Sequence, residues 1–137
     1  MYAQWWGQGG RHDVAWHDLN ARLGRVEFTR KVTAVYHSRE AFQHLLDRTM
    51  PGRAPRVPPL DFDRSEIVVL SLGPRSRTGY SLRVQRVVER RRGIDVFVRE
   101  VTPSLGEPVE ARVTYPYRAI AIPRTGKPVY VKLQGRP

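Results

Sequence analysis

The chain contains no cysteine, which excludes disulfides, thiolate zinc sites and cysteine nucleophiles. It has no apolar run near the ~18 residues that a helical membrane span requires. Lysine is scarce: Lys31, Lys127 and Lys132 are the only three, so arginine carries nearly all of the positive charge. Histidine is limited to His12, His17, His37 and His44. No GxSxG elbow, P-loop, dinucleotide fingerprint or HExxH helix is present. No repeat and no long low-complexity tract divides the chain.

What remains is a thin catalytic inventory. The segment His12-Asp13-Val14-Ala15-Trp16-His17-Asp18 is the one place where metal-ligand types crowd together. On a helix Asp13 and His17 share a face at i,i+4 spacing, but no third ligand is placed beside them. Asp61 and Asp63 in LDFD would face the same side of a strand, close enough to perturb one another, yet they have no acid/base partner nearby in sequence. A turn over Asp63-Arg64-Ser65-Glu66 is the better reading. No catalytic residue, metal ligand or cofactor site is assigned, and the protein is expected not to be an enzyme.

The loudest compositional fact is the net charge of +11 over 137 residues. Such a balance favours acidic partners: nucleic acid, an anionic membrane face or an acidic protein. The arginines are scattered along the whole chain, however, which fits equally a surface rich in ion pairs.

At this length one domain with one hydrophobic core is expected. Residues 1–22 read as an N-terminal arm, flexible or weakly helical. They open on WWGQGG, in which Trp5 and Trp6 either pack back or meet a partner, and continue with Val14, Ala15, Leu19 and Leu23 at loose helical spacing. The first residues lack the charged and apolar regions of a signal peptide. Tyr2-Ala3 before Gln4 fits either the remainder of an A-x-A-type cleavage site or an ordinary cytoplasmic start.

Residues 23–137 form the β-rich domain. Val26 to Tyr36 alternates as a strand, with Arg30-Lys31 as a turn or bulge. Ser38 caps a helix over about residues 39–48, with Ala41, Phe42, Leu45 and Leu46 as its apolar stripe and Met50-Pro51-Gly52 as its stop. A proline-rich surface connection follows. Ile67 to Leu72 is nearly continuous in apolar residues, as for a central strand buried on both faces. Tyr80 to Arg86 and Ile94 to Val101 alternate as a hairpin around the charged turn Glu89–Gly93. Ala111–Thr114, Arg118–Ile122 and Val129–Leu133 complete some seven strands. This pattern predicts a mainly β (α+β) fold: an antiparallel β-sandwich or barrel-like sheet with one packed α-helix.

Between two of those strands lies LGPRSRTGYSLRV. Gly73-Pro74 breaks the buried strand, Gly79 supplies a positive-φ position, and Tyr80 opens the next strand. The loop leads into a strand and not into a helix N-terminus, so it is no phosphate cradle. Arg75, Arg77, Thr78, Gly79 and Tyr80 are the candidate binding residues, either as a recognition loop or as a basic hairpin connection.

These residues carry a family resemblance. Asp61-Phe62 before the apolar strand, Gly73 followed at a distance by Gly79-Tyr80, Thr102-Pro103, and Thr114-Tyr115-Pro116-Tyr117 before Ala119–Pro123 resemble the PrcB C-terminal domain of bacterial protease complex subunits. The resemblance is strongest over residues 61–122. The family usually shows Thr-Gly-Gly-Tyr where this chain has Arg77-Thr78-Gly79-Tyr80, so Thr78 replaces the first glycine. The resemblance implies an extracytoplasmic (periplasmic, envelope or secreted), non-catalytic interaction module, in some members the companion of a surface protease. Its partner would be a protein, with an extracytoplasmic protease as the leading candidate. The alternatives left by the residues alone are a basic nucleic-acid or polyanion-binding protein, a cytoplasmic location, and self-association through a sheet edge or the Trp5-Trp6 arm.

Overall fold

In the computed structural model residues 10–135 are described, so the Trp5-Trp6 arm and the opening Met1–Gln4 lie outside the described residues. Chain order is β1 (His12–Asp13), β2 (His17–Asp18), α1 (Asn20–Leu23), β3 (Lys31–Tyr36), α2 (Arg39–Thr49), β4 (Ser65–Leu72), β5 (Ser81–Arg90), β6 (Gly93–Val101), β7 (Tyr117–Pro123) and β8 (Val129–Gln134). They form two four-stranded sheets, ordered β1-β5-β6-β8 and β2-β7-β4-β3. The sheets stack as a sandwich and do not close into a barrel.

β4 is the wall shared by two cores. Its Val68, Leu70 and Leu72 join Leu82, Val84 and Val87 of β5, Ile94, Val96 and Val98 of β6, and Ile120 and Ile122 of β7 between the sheets. Its Ile67 and Val69 face the other way, against Phe42, Leu45 and Leu46 of α2. The apolar run therefore has no solvent face, as its composition requires. β3 flanks β4 from Lys31↔Leu72 to Tyr36↔Ile67, and β7 flanks it on the other side.

α2 begins where the Ser38 hydroxyl accepts a hydrogen bond from the Ala41 amide at 3.1 Å, the expected N-cap geometry. Ala41 itself is exposed, so the buried stripe narrows to Phe42, Leu45 and Leu46. The proline-rich connection is tied to this helix. Arg39 donates to the Val57, Pro58 and Leu60 carbonyls, and the Gln43 side chain bonds Pro55 O and Val57 N at 2.9 and 3.0 Å. Prolines leave carbonyls without ladder partners, and two helix side chains supply the donors.

Several elements differ from their sequence pattern. The first long strand starts at Lys31 and not at Val26, because β4 ends at Gly73 (φ 80°) and leaves earlier residues no partner. Val26 and Phe28 are still buried on the helix side. Ala111–Thr114 forms no strand, only the single bridge Arg75↔Thr114. One strand pair, β6 with β8, is parallel, because β7 belongs to the opposite sheet and the chain crosses over before β8.

The described part of the N-terminal arm is stitched to both sheets. His12 and Asp13 pair with Glu89 and Val88 of β5, and His17 and Asp18 with Ala121 and Ile120 of β7. The Asn20 side chain extends the second ladder, accepting from Ala119 N at 2.8 Å and donating to Tyr117 O at 2.9 Å. Helix is confined to Asn20–Leu23. Asp13 and His17 thus lie on strands of different sheets and share no helical face.

At the far sides β3 and β8 are the edge strands, and each carries one of the lysines, Lys31 and Lys132. Charged edge residues discourage edge-to-edge pairing. No helix among the described residues is long and apolar enough to cross a membrane.

The helix layer supplies a direct test of this packing. Phe42 is fully buried, with its ring 5.5 Å from that of Tyr36. Phe42→Ala is expected to lower the unfolding free energy by about 3–5 kcal/mol, measured by urea denaturation.

Candidate functional site

The loop that leaves β4 and the loop between β6 and β7 meet at one end of the sandwich. Backbone bonds join them: Arg75 N to Thr114 O at 2.8 Å, Thr114 N to Arg75 O at 2.9 Å, and Thr78 N to Glu110 O at 3.0 Å. Hydroxyls add two more. Glu110 N donates to Thr78 Oγ1 at 2.8 Å, and Thr114 Oγ1 donates to Arg77 O at 3.1 Å. Both loops are ordered by these polar ties, because neither buries enough apolar surface to do so.

Within this tip the five candidate residues take different parts. Arg75 turns inward, its Nε 3.0 Å from Oε2 of Glu100, a carboxylate buried at the end of β6. A buried carboxylate needs such a partner, so Arg75 is spent on the scaffold. Its guanidinium also lies 5.8 Å from the centre of the Tyr80 ring. Arg77 is exposed, resting 5.9 Å from the same ring and donating to the Tyr80 hydroxyl at 3.4 Å. Thr78 supplies the hydroxyl tie to Glu110. A glycine there, as in the usual family loop, has no such hydroxyl.

Gly79 has φ 99° and sits against the neighbouring loop. A Cβ at this position would lie 2.6 Å from Pro103 Cγ and 3.2 Å from Val109 Cγ1. The residue is glycine both for its backbone angle and for the proline beside it.

The second loop holds what the sequence pattern missed. Ser104–Glu107 is a hydrogen-bonded turn, Glu107 N to Ser104 O at 2.9 Å, with Gly106 at φ 86°. The Glu107 carboxylate folds back to accept from Ser104 N at 2.9 Å. This lifts Leu105 fully into solvent, at 106 % relative exposure, and Val109 and Val113 of the same loop are also exposed. Next to Val113 lies a cleft of about 210 Å³, lined by Arg25, Val26, Arg112, Thr114, Tyr115 and Tyr117. A lone leucine between serine and glycine in a turn was the available signal.

The remaining sequence candidates lie apart. Among the described residues no three His, Cys, Asp or Glu side chains come together as a metal cluster. His12 lies 3.5 Å from Glu89, while His17 is on the other sheet. Asp61 accepts from Asp63 N at 3.0 Å and caps the turn into β4.

At the end of the sandwich where β4 begins, Glu66 is only 2 % exposed. One of its oxygens is 3.3 Å from His37 Nε2, and the other has no hydrogen-bond partner. Burial pushes its carboxyl above the ordinary range, against the pull of His37 and Arg124. On the helix side the Tyr117 hydroxyl donates to Gly24 O, and burial pushes that phenol up to about 12.

Residues 67–123 match the PrcB C-terminal family. The match runs from β4 through β7 and contains both tip loops, bearing out the resemblance carried by Gly73, Gly79 and Tyr80. No curated protein and no solved structure matches the chain. Outside the PrcB C-terminal stretch lie α2, β3, β8 and the strapping strands, so the tip belongs to the matched segment and the helix layer does not.

Two outcomes follow from this site. Gly79→Ala combines a disfavoured backbone angle with a clash on Pro103, and is expected to cost about 1–3 kcal/mol, read by urea denaturation. Glu66 gives a pH signature. Because its folded pKa lies above the unfolded one, protonation favours the native state. Stability gained from this group appears as pH falls through the folded value and is complete below the unfolded value of about 4.3. On acidification from neutral pH, the wild type should therefore gain on Glu66→Gln in melting temperature across that window. A constant gap between the two would remove the assignment.

Proposed function

We propose that this protein is a non-catalytic protein-interaction module of the bacterial cell envelope, an associated or restraining subunit of a protease complex that docks through its tip. The observation that carries the reading is Leu105, wholly exposed at the crest of a hydrogen-bonded turn. A leucine held out on a hydrogen-bonded turn leaves its apolar surface in water, and a partner's pocket that takes it up removes that surface from water.

Three features support it. The tip is preorganised by five cross-loop hydrogen bonds, which lowers the ordering cost of association. Arg77 stands exposed at the rim, where a charge steers approach and sets specificity. The match of residues 67–123 to the PrcB C-terminal family fits a subunit that accompanies a protease. An extracytoplasmic location belongs to the same reading.

The immobilised chain, presented with an envelope fraction, should retain a protease and change its cleavage rate. Leu105→Asp should lower that affinity by roughly tenfold or more, while Arg53→Ala, on the exposed connection after the helix, leaves it unchanged. Equal retention by Leu105→Asp, or failure to retain or affect any protease, would sink the proposal.

A further inference from the structure

The two sheets are covered unequally. α2 and its connection pack over the outer face of the β2-β7-β4-β3 sheet, whereas the outer face of the β1-β5-β6-β8 sheet meets solvent. Along β5, Leu82 and Val84 point into the core and Arg83 and Arg86 point out, with a bulge between Val84 and Arg86. Along β6, Val96 and Val98 point in and Phe97 and Arg99 point out. Along β8, Val129 and Val131 pack inward, leaving Tyr130 and Lys132 outside.

The register places these outward residues in rows. Arg83 is directly opposite Arg99, which is flanked by Gln134. In the next row Arg86, Phe97 and Lys132 lie side by side. Like charges directly opposite one another across a strand pair are destabilising. The carboxylates on this face do not relieve them: Asp95 is held in a two-bond pair by Arg90, at 2.9 and 3.3 Å, and Asp13 is held by Arg86 at 2.7 Å. Neither Arg83 nor Arg99 forms an ion pair with any acidic group among the described residues. A depression of about 480 Å³ lined by Arg11, Asp13, Arg86, Val88 and Phe97 adjoins the rows.

We infer that this face, centred on the opposed pair Arg83 and Arg99, is a docking surface for an acidic, extended polypeptide segment. Guanidinium groups present planar forks that take carboxylates in bidentate pairs. A carboxylate between Arg83 and Arg99 turns their repulsion into attraction, and Lys132 extends the positive surface to the next row. Single-stranded nucleic acid is disfavoured because stacking needs open aromatic faces. Phe97 is half-buried between Arg86 and Lys132, and Tyr130 already carries Arg90 and Lys132 at 5.3 and 5.9 Å from its ring centre. The surface is distinct from the tip and does not depend on the tip's partner.

The test uses the purified chain with a fluorescent polyglutamate peptide and, separately, an oligothymidylate of equal charge, titrated at physiological ionic strength. Polyglutamate should bind, and Arg83→Ala and Arg99→Ala should each weaken it roughly tenfold, while Arg53→Ala leaves it unchanged. Arg99→Glu, which sets an opposite charge across from Arg83, should raise the melting temperature while abolishing peptide binding. No peptide binding, equal losses with Arg53→Ala, or tighter binding of the oligothymidylate would each overturn the inference.

Discussion

A strand that is apolar on both faces can persist only between two layers, and Ile67–Leu72 imposes that condition on the whole chain. Its neighbours β3 and β7 satisfy its backbone, but its side chains need covers on opposite sides. The hairpin β5–β6 provides one and α2 the other. Each cover has one face to spend, so α2 shows a narrow buried stripe and β5 alternates buried with exposed residues. The strand also fixes where the chain must turn. It stops at Gly73, and the loop launched there emerges at the sandwich end where β6 delivers Glu100.

That meeting explains why the tip is stiff without being buried. Arg75 and Glu100 are 25 residues apart in the chain, and their contact at 3.0 Å anchors the first loop to the end of β6. Thr78 and Thr114 then tie the loops to each other through side-chain hydroxyls. Polar ties of this kind each contribute modestly, on the order of 1 kcal/mol, but together they leave little freedom to be lost on docking. Leu105 stands on a neighbouring turn that is closed by its own bonds between Ser104 and Glu107.

Local chemistry made some of this legible in the sequence and left some of it dark. The capped helix, the doubly buried strand and the charged hairpin each declare themselves through period and punctuation within a dozen residues, and the two-layer β fold follows from them. The strand start at Val26 misled because alternation continues past the point where a partner strand exists. The parallel placement of β8 depends on which sheet β7 joins, a decision no local pattern records. At the tip, Gly79 was readable as a positive-φ position, but its Pro103 neighbour was not, nor was the inward turn of Arg75. Those depend on contacts between distant segments. The strapping strands were hidden for a simpler reason. Pairs of two residues carry no periodicity, and the Asn20 side chain continues a ladder that the backbone abandons.

The charge excess looks different once its location is known. Where an arginine lies against a buried carboxylate, as Arg75 on Glu100 and Arg90 on Asp95, or joins two strands, as Arg118 of β7 to Asp18 of β2, it serves the fold. These pairs consume the acids at the strand ends and leave few for the outer face of the β5–β6–β8 layer. If arginine abundance merely built ion-pair networks, opposed positions in a sheet would be the easiest places to alternate sign, because directly facing side chains interact most strongly. Arg83 and Arg99 occupy such a pair and do not alternate. A sequence that uses carboxylates carefully elsewhere thus leaves two facing guanidinium groups uncompensated, and an anion brought by another molecule is the compensation that geometry admits.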